Sequence, residues 1–100
     1  MEQINDDENF TIKDTTITVK SILQNDNLNN YKSNGRYYWF YAPINAPRST
    51  NNGTMFVTVI GNLRVIQIVF TAVAIYYRSS QDGGVFDSTS YWCQATLSKV

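Results

Sequence analysis

The segment from residue 54 to residue 79 limits the possible folds most, because it is dense in Val, Ile, Phe and Tyr and contains no Pro. β-Branched and aromatic side chains fit the pleated surface of a sheet, whereas a helix of this length favours Leu, Ala, Glu and Lys in a periodic pattern. Turn signals interrupt the segment at Gly61-Asn62 and again near residue 71. We therefore predict three consecutive strands, at residues 54–60, 63–70 and 73–78, with a tight hairpin at Gly61-Asn62.

Further strands are indicated on both sides of this segment. Residues 16–20 alternate polar and apolar side chains, which is typical of a strand with one buried face. Residues 36–41 are an aromatic run whose two faces, if it is extended, are Tyr37, Trp39 and Tyr41 on one side and Arg36, Tyr38 and Phe40 on the other. A terminal strand is predicted at residues 91–97. The fold class that follows is all-β, an antiparallel sandwich-like domain.

The segments between these strands are predicted to be loops, because they are rich in Asn, Gly, Pro and Ser. In the Asn-rich loop at residues 24–35, Leu28 and Tyr31 are the apolar anchors expected to hold the loop to the body. Residues 1–9 are acidic and polar, which favours a solvated N-terminal arm. They are also unlike a signal peptide, so we expect synthesis in the cytoplasm without a secretion signal.

The composition excludes several classes of function. The chain has 8 basic and 8 acidic residues, so its net charge is zero and it lacks the basic footprint of a duplex-binding module. It contains no His, which rules out a Ser-His-Asp or Cys-His nucleophile and any His-ligated metal. The single cysteine, Cys93, cannot form an intramolecular disulfide. The longest apolar runs have the length of strands and carry polar residues, so no membrane insertion is expected.

Catalytic chemistry finds little support in the sequence. Asp82 and Asp87 flank a Gly-Gly loop and could form the acid/base pair of a glycosidase, although Asp beside Gly is the usual composition of a turn. Cys93 has no His to act as its base, and its apolar surroundings favour a buried structural thiol. We therefore predict a protein that is not an enzyme and that holds no metal and no cofactor.

The aromatic residues are the richest feature of the chain. Exposed Tyr and Trp could stack on sugar rings or on bases, and buried ones would belong to the core or to a subunit interface. Neighbouring Asn and Asp side chains would add hydrogen bonds to sugar hydroxyl groups. The candidate ligand-binding residues, chosen by side-chain type and loop position, are Arg36, Tyr38, Trp39, Arg48, Asn51, Asn52, Tyr77, Asp82 and Trp92.

The order of several short motifs is also informative. They are Asp-Asn-Leu-Asn-Asn-Tyr at 26–31, Asn-Gly-Arg-Tyr-Tyr at 34–38, Asn-Ala-Pro at 45–47, Gly-Thr-Met-Phe-Val-Thr-Val at 53–59, Gln-Ile-Val-Phe at 67–70 and Ile-Tyr-Tyr-Arg-Ser at 75–79. In this order and spacing the chain resembles the small β-rich knob domains at the tips of bacteriophage tail fibres and related tailocin fibres. Where that family has two closely spaced tryptophans at its end, this chain has Tyr91-Trp92.

The resemblance implies an intertwined homotrimer in the tail tip of a virion. Residues 1–23 would then be an N-terminal arm and shaft-like strand, and residues 24–100 a β-rich knob. The expected function is binding of a host cell-surface polysaccharide or a teichoic-acid-like polymer, with other tail or baseplate proteins as partners. The alternative is a structural trimerisation domain of the tail assembly that binds no ligand. A glycan-degrading tip enzyme and a single-stranded nucleic-acid module are further alternatives.

Overall fold

The computed structural model describes residues 18–95, which form one six-stranded sheet with its strands in sequence order. The strands are β1 (Thr18–Ser21), β2 (Gly35–Trp39), β3 (Gly53–Ile60), β4 (Arg64–Phe70), β5 (Ile75–Ser79) and β6 (Cys93–Ala95). Single 3-10 turns at Leu28–Asn30 and Pro47–Ser49 are the only helical elements in this part of the chain. The predicted all-β class is confirmed. Of the predicted arm and shaft-like strand at residues 1–23, residues 1–17 lie outside the described residues, and so does the end of the predicted terminal strand.

The three predicted central strands are confirmed as β3, β4 and β5, with small differences at their ends. The hairpin between β3 and β4 has a three-residue loop, in which Gly61 and Leu63 both take positive φ (53° and 62°). β5 begins at Ile75, later than predicted, because Thr71 forms a turn. The Thr71 hydroxyl accepts hydrogen bonds from the backbone N–H groups of Val73 and Ala74.

One strand pair departs from the antiparallel prediction. β1 runs parallel to β2, with Thr18 opposite Gly35 and Ser21 opposite Tyr38, whereas the other four pairs are antiparallel. Parallel neighbours need a crossover connection rather than a hairpin. Residues 22–34 supply it, with Ile22 and Leu28 both buried in the core. The Leu28 anchor is therefore confirmed.

The core lies on one face of the sheet, under loops. Alternate residues of β2 to β5 point to this face, as the period of a strand requires. The large side chains buried there include Tyr37, Trp39, Met55, Val57, Val65, Val69 and Tyr76. Within residues 18–95 this face is covered by the connections at 22–34, 40–52 and 80–92 rather than by a second sheet.

Trp39 shows how closely these loops pack. Its ring is 1% exposed, and its Nε1 donates a hydrogen bond of 2.9 Å to the backbone oxygen of Thr50. The ring lies directly against Gly53, where an added Cβ would overlap the ring atoms. A glycine is thus required at Gly53 by close packing, and the loop 40–52 is fixed to the sheet by the same side chain.

The other face of the sheet is open. Its exposed large apolar side chains include Val19, Tyr38, Phe56, Ile60, Phe70 and Tyr77. Phe56 and Phe70 form an edge-to-face pair in its middle, with ring centroids 5.6 Å apart. In the part of the chain that the structure describes, no helix is long and apolar enough to cross a membrane.

Candidate functional site

An open cleft of about 460 Å³ lies on the loop-covered side of the sheet, next to β5. Its walls come from the loop at residues 80–92 and from two points on the connections that follow β1 and β2. The residues that line it are Asn29, Asn45, Ala46, Arg78, Phe86, Asp87, Ser88, Ser90, Tyr91 and Trp92. Long-range folding is therefore needed to build this site, because its parts are up to 63 positions apart in sequence (from 29 to 92).

Arg78 forms the base of the cleft. It follows Tyr76 by two positions in β5 and so points to the same, buried face of the sheet; the side chain is 6% exposed. Its guanidinium carbon lies 4.1 Å from the ring centroid of Phe86 and 4.6 Å from that of Trp92. At these distances both rings attract the cation and hold the guanidinium group in place.

Two neutral side chains complete the surroundings of Arg78. Its Nε donates to Gln67 Oε1 at 2.8 Å, and its Nη2 donates to Asn29 Oδ1 at 2.9 Å. Gln67 is fully buried and in turn donates from Nε2 to the backbone oxygens of Leu28 (2.8 Å) and Tyr31 (2.9 Å). This network ties β4 and β5 to the crossover connection, so the position of Arg78 is fixed from several directions.

The charge of Arg78 is not neutralised by any acidic side chain among residues 18–95, where the one ion pair joins Arg64 to Asp82 at 3.0 Å. Burial lowers the pKa of Arg78 to about 10. The guanidinium therefore stays protonated at neutral pH. The cleft has a buried positive charge at its base.

The wall of the cleft at residues 86–92 is shaped by Asp87. Its Oδ1 accepts hydrogen bonds from the hydroxyl (2.7 Å) and backbone N–H (2.9 Å) of Thr89 and from the Ser90 hydroxyl (3.4 Å). The hydrogen bonds from Thr89 hold the pKa of Asp87 below its usual value, so it is a carboxylate at neutral pH. Trp92 joins this wall to the opposite one by donating from Nε1 to the backbone oxygen of Asn45 at 2.8 Å.

Two aromatic rings face the solvent side of this wall. Tyr91 is 71% exposed, and Trp92 is half-buried with one side against Arg78. Arg78 also borders a second cavity of about 290 Å³, which it shares with Tyr77, Tyr91 and others. The arrangement offers a flat apolar surface beside hydroxyl, amide, carboxylate and guanidinium groups, which is the combination that orients a polar ring-shaped ligand.

Three of the predicted site residues lie at or near this cleft. Trp92 lines it, Tyr77 lines the adjoining cavity, and Asp82 forms the exposed ion pair with Arg64 at the far end of the same loop. The proposed acid/base partners Asp82 and Asp87 thus have different surroundings, since one pairs with an arginine and the other binds its own turn.

The remaining predicted residues lie elsewhere. Tyr38 and Asn52 border a shallow groove of about 290 Å³ at the end of β2, together with Trp39, whose ring is buried in the core. Arg36 is exposed on the open face of the sheet. Arg48 is exposed in the 3-10 turn with φ of 51°. Asn51 accepts a hydrogen bond from the backbone N–H of Ala42 at 2.8 Å, a structural contact that closes the turn.

Most of the cleft residues are not among the predicted ligand-binding residues: Asn29, Asn45, Ala46, Arg78, Phe86, Asp87, Ser88, Ser90 and Tyr91. A usable signal was present for Arg78. The alternation of β5 places it on the face of the apolar Tyr76, and a charged residue on a core face needs partners. Within residues 18–95 no group of three or more His, Cys, Asp and Glu side chains is placed to hold a metal ion.

The fold and the cleft together define a small all-β protein with a solvent-open cleft on one side of its sheet. Comparison of the chain with protein-family models, with curated proteins and with solved structures finds no match.

Proposed function

We propose that this protein is a binding module at the tip of a phage tail fibre or baseplate, where it binds a host cell-surface polysaccharide without cleaving it. The observation that carries this proposal is the cleft, in which the exposed ring of Tyr91 and the edge of Trp92 stand beside polar side chains. A sugar ring has apolar C–H faces that stack on aromatic rings and hydroxyl groups that exchange hydrogen bonds with amides and hydroxyls.

We propose binding without hydrolysis because the cleft has too few acidic groups for glycoside cleavage. Glycoside cleavage generally uses two carboxyl groups separated by about 5–10 Å across the scissile bond. The residues that line the cleft include one carboxylate, Asp87, and its Oδ1 is already engaged by Thr89 and Ser90. A single carboxylate does not supply the acid/base pair that this reaction needs.

The assembly proposed with this function is a homotrimer, attached to other tail proteins in the virion through the residues that precede β1, since β1 and Ile22 belong to the sheet and its core. The open apolar face of the sheet supports it, because single chains rarely leave so many aromatic and aliphatic side chains in water. If this face packs against the sheets of two other copies, the expected sandwich-like layers form between chains rather than within one chain.

A second function is favoured by the same open face. If the face serves only to join copies or tail proteins, the protein is a structural trimerisation domain that binds no ligand. Only the binding function requires the exposed ring of Tyr91, so a substitution at this position distinguishes the two functions.

The test is a screen of bacterial surface polysaccharides, followed by Tyr91→Ala in the full chain. We expect the affinity for the selected polysaccharide to fall about 3- to 10-fold, the usual contribution of one aromatic stacking contact. Tyr41→Ala is the matched control, because Tyr41 is similarly exposed (65%) and does not line the cleft. Equal losses in the two variants would place the ligand elsewhere, and failure to bind any polysaccharide would favour the structural domain.

A further inference from the structure

The base of the cleft holds a charge that the rest of the described chain does not neutralise. Arg78 is more than nine-tenths buried, yet its partners at Nε and Nη2 are the neutral oxygens of Gln67 and Asn29. A buried cation without a counter-ion is unfavourable, and proteins seldom keep one unless it is paired or used. Aromatic contacts with Phe86 and Trp92 offset part of this cost without supplying a negative charge.

Arg78 has N–H donors that no group in the described part of the chain accepts. A guanidinium group has five N–H donors in one plane. Two of them are taken by Gln67 and Asn29, and the other three have no acceptor among residues 18–95. Arg78 itself lines the cleft, which is where an acceptor for these donors would bind. Their planar fork matches the paired oxygens of a carboxylate or phosphate group.

Two other side chains of the cleft also offer hydrogen-bond donors to a ligand that binds Arg78. Asn29 turns its Oδ1 towards Arg78, so its amide N–H groups are left as donors, and they have no acceptor within the described part of the chain. The Ser88 hydroxyl on the opposite wall is likewise without a partner there. An anionic group accepts hydrogen bonds and donates none, so it suits a surface of donors.

Asp87 is the one acidic group of the cleft, and its carboxylate faces into its own turn. Three donors from Thr89 and Ser90 meet at Oδ1. It is fully solvent-exposed, so water screens its charge more effectively than that of the buried Arg78. The positive group therefore dominates at the base of the cleft and the negative group at its rim.

We propose that the cleft selects acidic saccharides, with the guanidinium group of Arg78 binding a carboxylate or phosphate substituent of the sugar while Tyr91 stacks on its ring. This inference rests on the proposed function and names the chemical class of its ligand. The carboxylate would come from a uronic acid and the phosphate from a phosphorylated sugar or sugar-phosphate polymer.

The test compares three sugars that share one ring: glucose, glucuronate and glucose 6-phosphate. Each is titrated into the full ¹⁵N-labelled chain while NMR follows the Nε–H signal of Arg78 and the backbone amides of residues 86–92. We expect at least one acidic sugar to shift these signals and to bind at least about tenfold more tightly than glucose, as a charge-assisted hydrogen bond provides. The acidic sugar that saturates first identifies the anion.

Two variants test the charges at the rim and at the base of the cleft separately. Asp87→Asn removes the negative charge at the rim and should strengthen binding of the acidic sugar about two- to fivefold, a surface electrostatic effect. Arg78→Lys keeps the positive charge but loses the planar fork, and it should abolish the preference for the acidic sugar. Arg64→Lys is the matched control and should leave the preference unchanged. If circular dichroism shows that Arg78→Lys does not fold, the comparison of the three sugars and the Asp87→Asn variant still test whether the cleft prefers acidic sugars.

The experiment distinguishes a failure of the proposed role of Arg78 from a failure of saccharide binding itself. Equal affinity for glucose and its acidic forms would overturn the role of Arg78 and leave saccharide binding in place. The absence of a shift with all three sugars would overturn the role of Arg78 as well, while the polysaccharide screen tests the proposed function separately. Weaker binding in Asp87→Asn would contradict the expected electrostatic effect of this carboxylate and show that it contacts the ligand.

Discussion

At the scale of single residues, Gln67 is the polar side chain on which the interior depends most. It lies in β4 between the buried residues Val65 and Val69, where an aliphatic residue would be expected. Its amide makes three hydrogen bonds, two from Nε2 to the connection after β1 and one from Arg78 to Oε1. A buried amide is tolerated when its donors and acceptor are satisfied in this way.

Replacement of this amide should destabilise the protein strongly. Gln67→Leu is similar in size, but it leaves the backbone oxygen of Tyr31 and the Nε of Arg78 without partners. It also removes one of the two donors to the backbone oxygen of Leu28, which still accepts from the N–H of Tyr31. We expect the free energy of unfolding to fall by about 2–4 kcal/mol, measured by urea denaturation. Gln24→Leu is the control at an exposed loop position, where a change within about 0.5 kcal/mol is expected. Similar losses in both variants would contradict the role given to the network.

The sequence predicted the residues of the site less well than the strands. Trp92 was selected and lies in the cleft, whereas Trp39 was selected for the same aromatic character and is fully buried. Side-chain type alone does not distinguish them, because the difference depends on which loop covers each ring. For Arg78 the alternation of β5 indicates a core-facing position, but its aromatic contacts with Phe86 and Trp92 depend on how the loop at residues 80–92 folds.

At the scale of elements, the sequence was most informative where local chemistry decides the structure. The run of β-branched and aromatic residues predicted β3 and β4 to within one residue at each end, because period and turn residues lie in the same segment. The parallel pairing of β1 with β2 could not be read in this way. It depends on how the loop at residues 22–34 packs under the sheet, which is a tertiary property.

That loop is held by a cluster around Asp26. Its Oδ2 accepts hydrogen bonds from the Tyr31 hydroxyl (2.9 Å) and the backbone N–H of Leu23 (3.1 Å). Tyr31 packs edge-to-face on Tyr37, with ring centroids 5.0 Å apart, so the second predicted anchor of the loop is also confirmed. Burial, followed by the hydrogen bond to Asp26, raises the pKa of Tyr31 to about 12.

This raised pKa predicts a specific loss of stability in alkali. Folding favours the neutral phenol, so the stabilising contribution is complete below the unfolded pKa of 10.0 and is lost as the pH rises through about 12. Urea denaturation at several values between about pH 9 and pH 12 should show this decline. Since lysines titrate in the same range, the difference between the wild type and Tyr31→Phe isolates Tyr31.

The control for this measurement is Tyr41→Phe, which removes a hydroxyl from an exposed tyrosine. It should follow the wild-type pH dependence, whereas Tyr31→Phe should decline less steeply above about pH 10. A Tyr31→Phe curve parallel to that of the wild type over the whole range would show that the phenol contributes nothing to the alkaline transition.

At the scale of the whole molecule, the two faces of the sheet are unequal. One is covered by loops and carries the cleft, and the other is open and apolar. With strands about 4.8 Å apart and roughly 20 Å long, the open face of β2 to β6 covers roughly 500 Å². Part of this area is polar, because Arg36, Thr58 and Arg64 lie on the same face. The exposed pair Phe56 and Phe70 lies in the middle of the face, and we propose that copies of the chain cover it.

The corresponding prediction concerns the mass of the protein in solution. Light scattering should give three times the 11.4 kDa of one chain, independent of dilution. Phe56→Asp places a carboxylate beside Phe70 in the middle of the open face and should give a folded monomer, because a buried interface does not accept an unpaired charge. Val85→Asp, at an exposed apolar loop position, should remain trimeric.

The outcomes also separate assembly from binding. A wild-type monomer at every concentration would contradict the proposed trimer. If Phe56→Asp is monomeric and still binds the polysaccharide, the cleft works within one chain, as expected from its position on the opposite side of the sheet. If dissociation abolishes binding, a neighbouring copy must complete the site, and the cleft around Arg78 is then one part of a larger surface formed by the trimer.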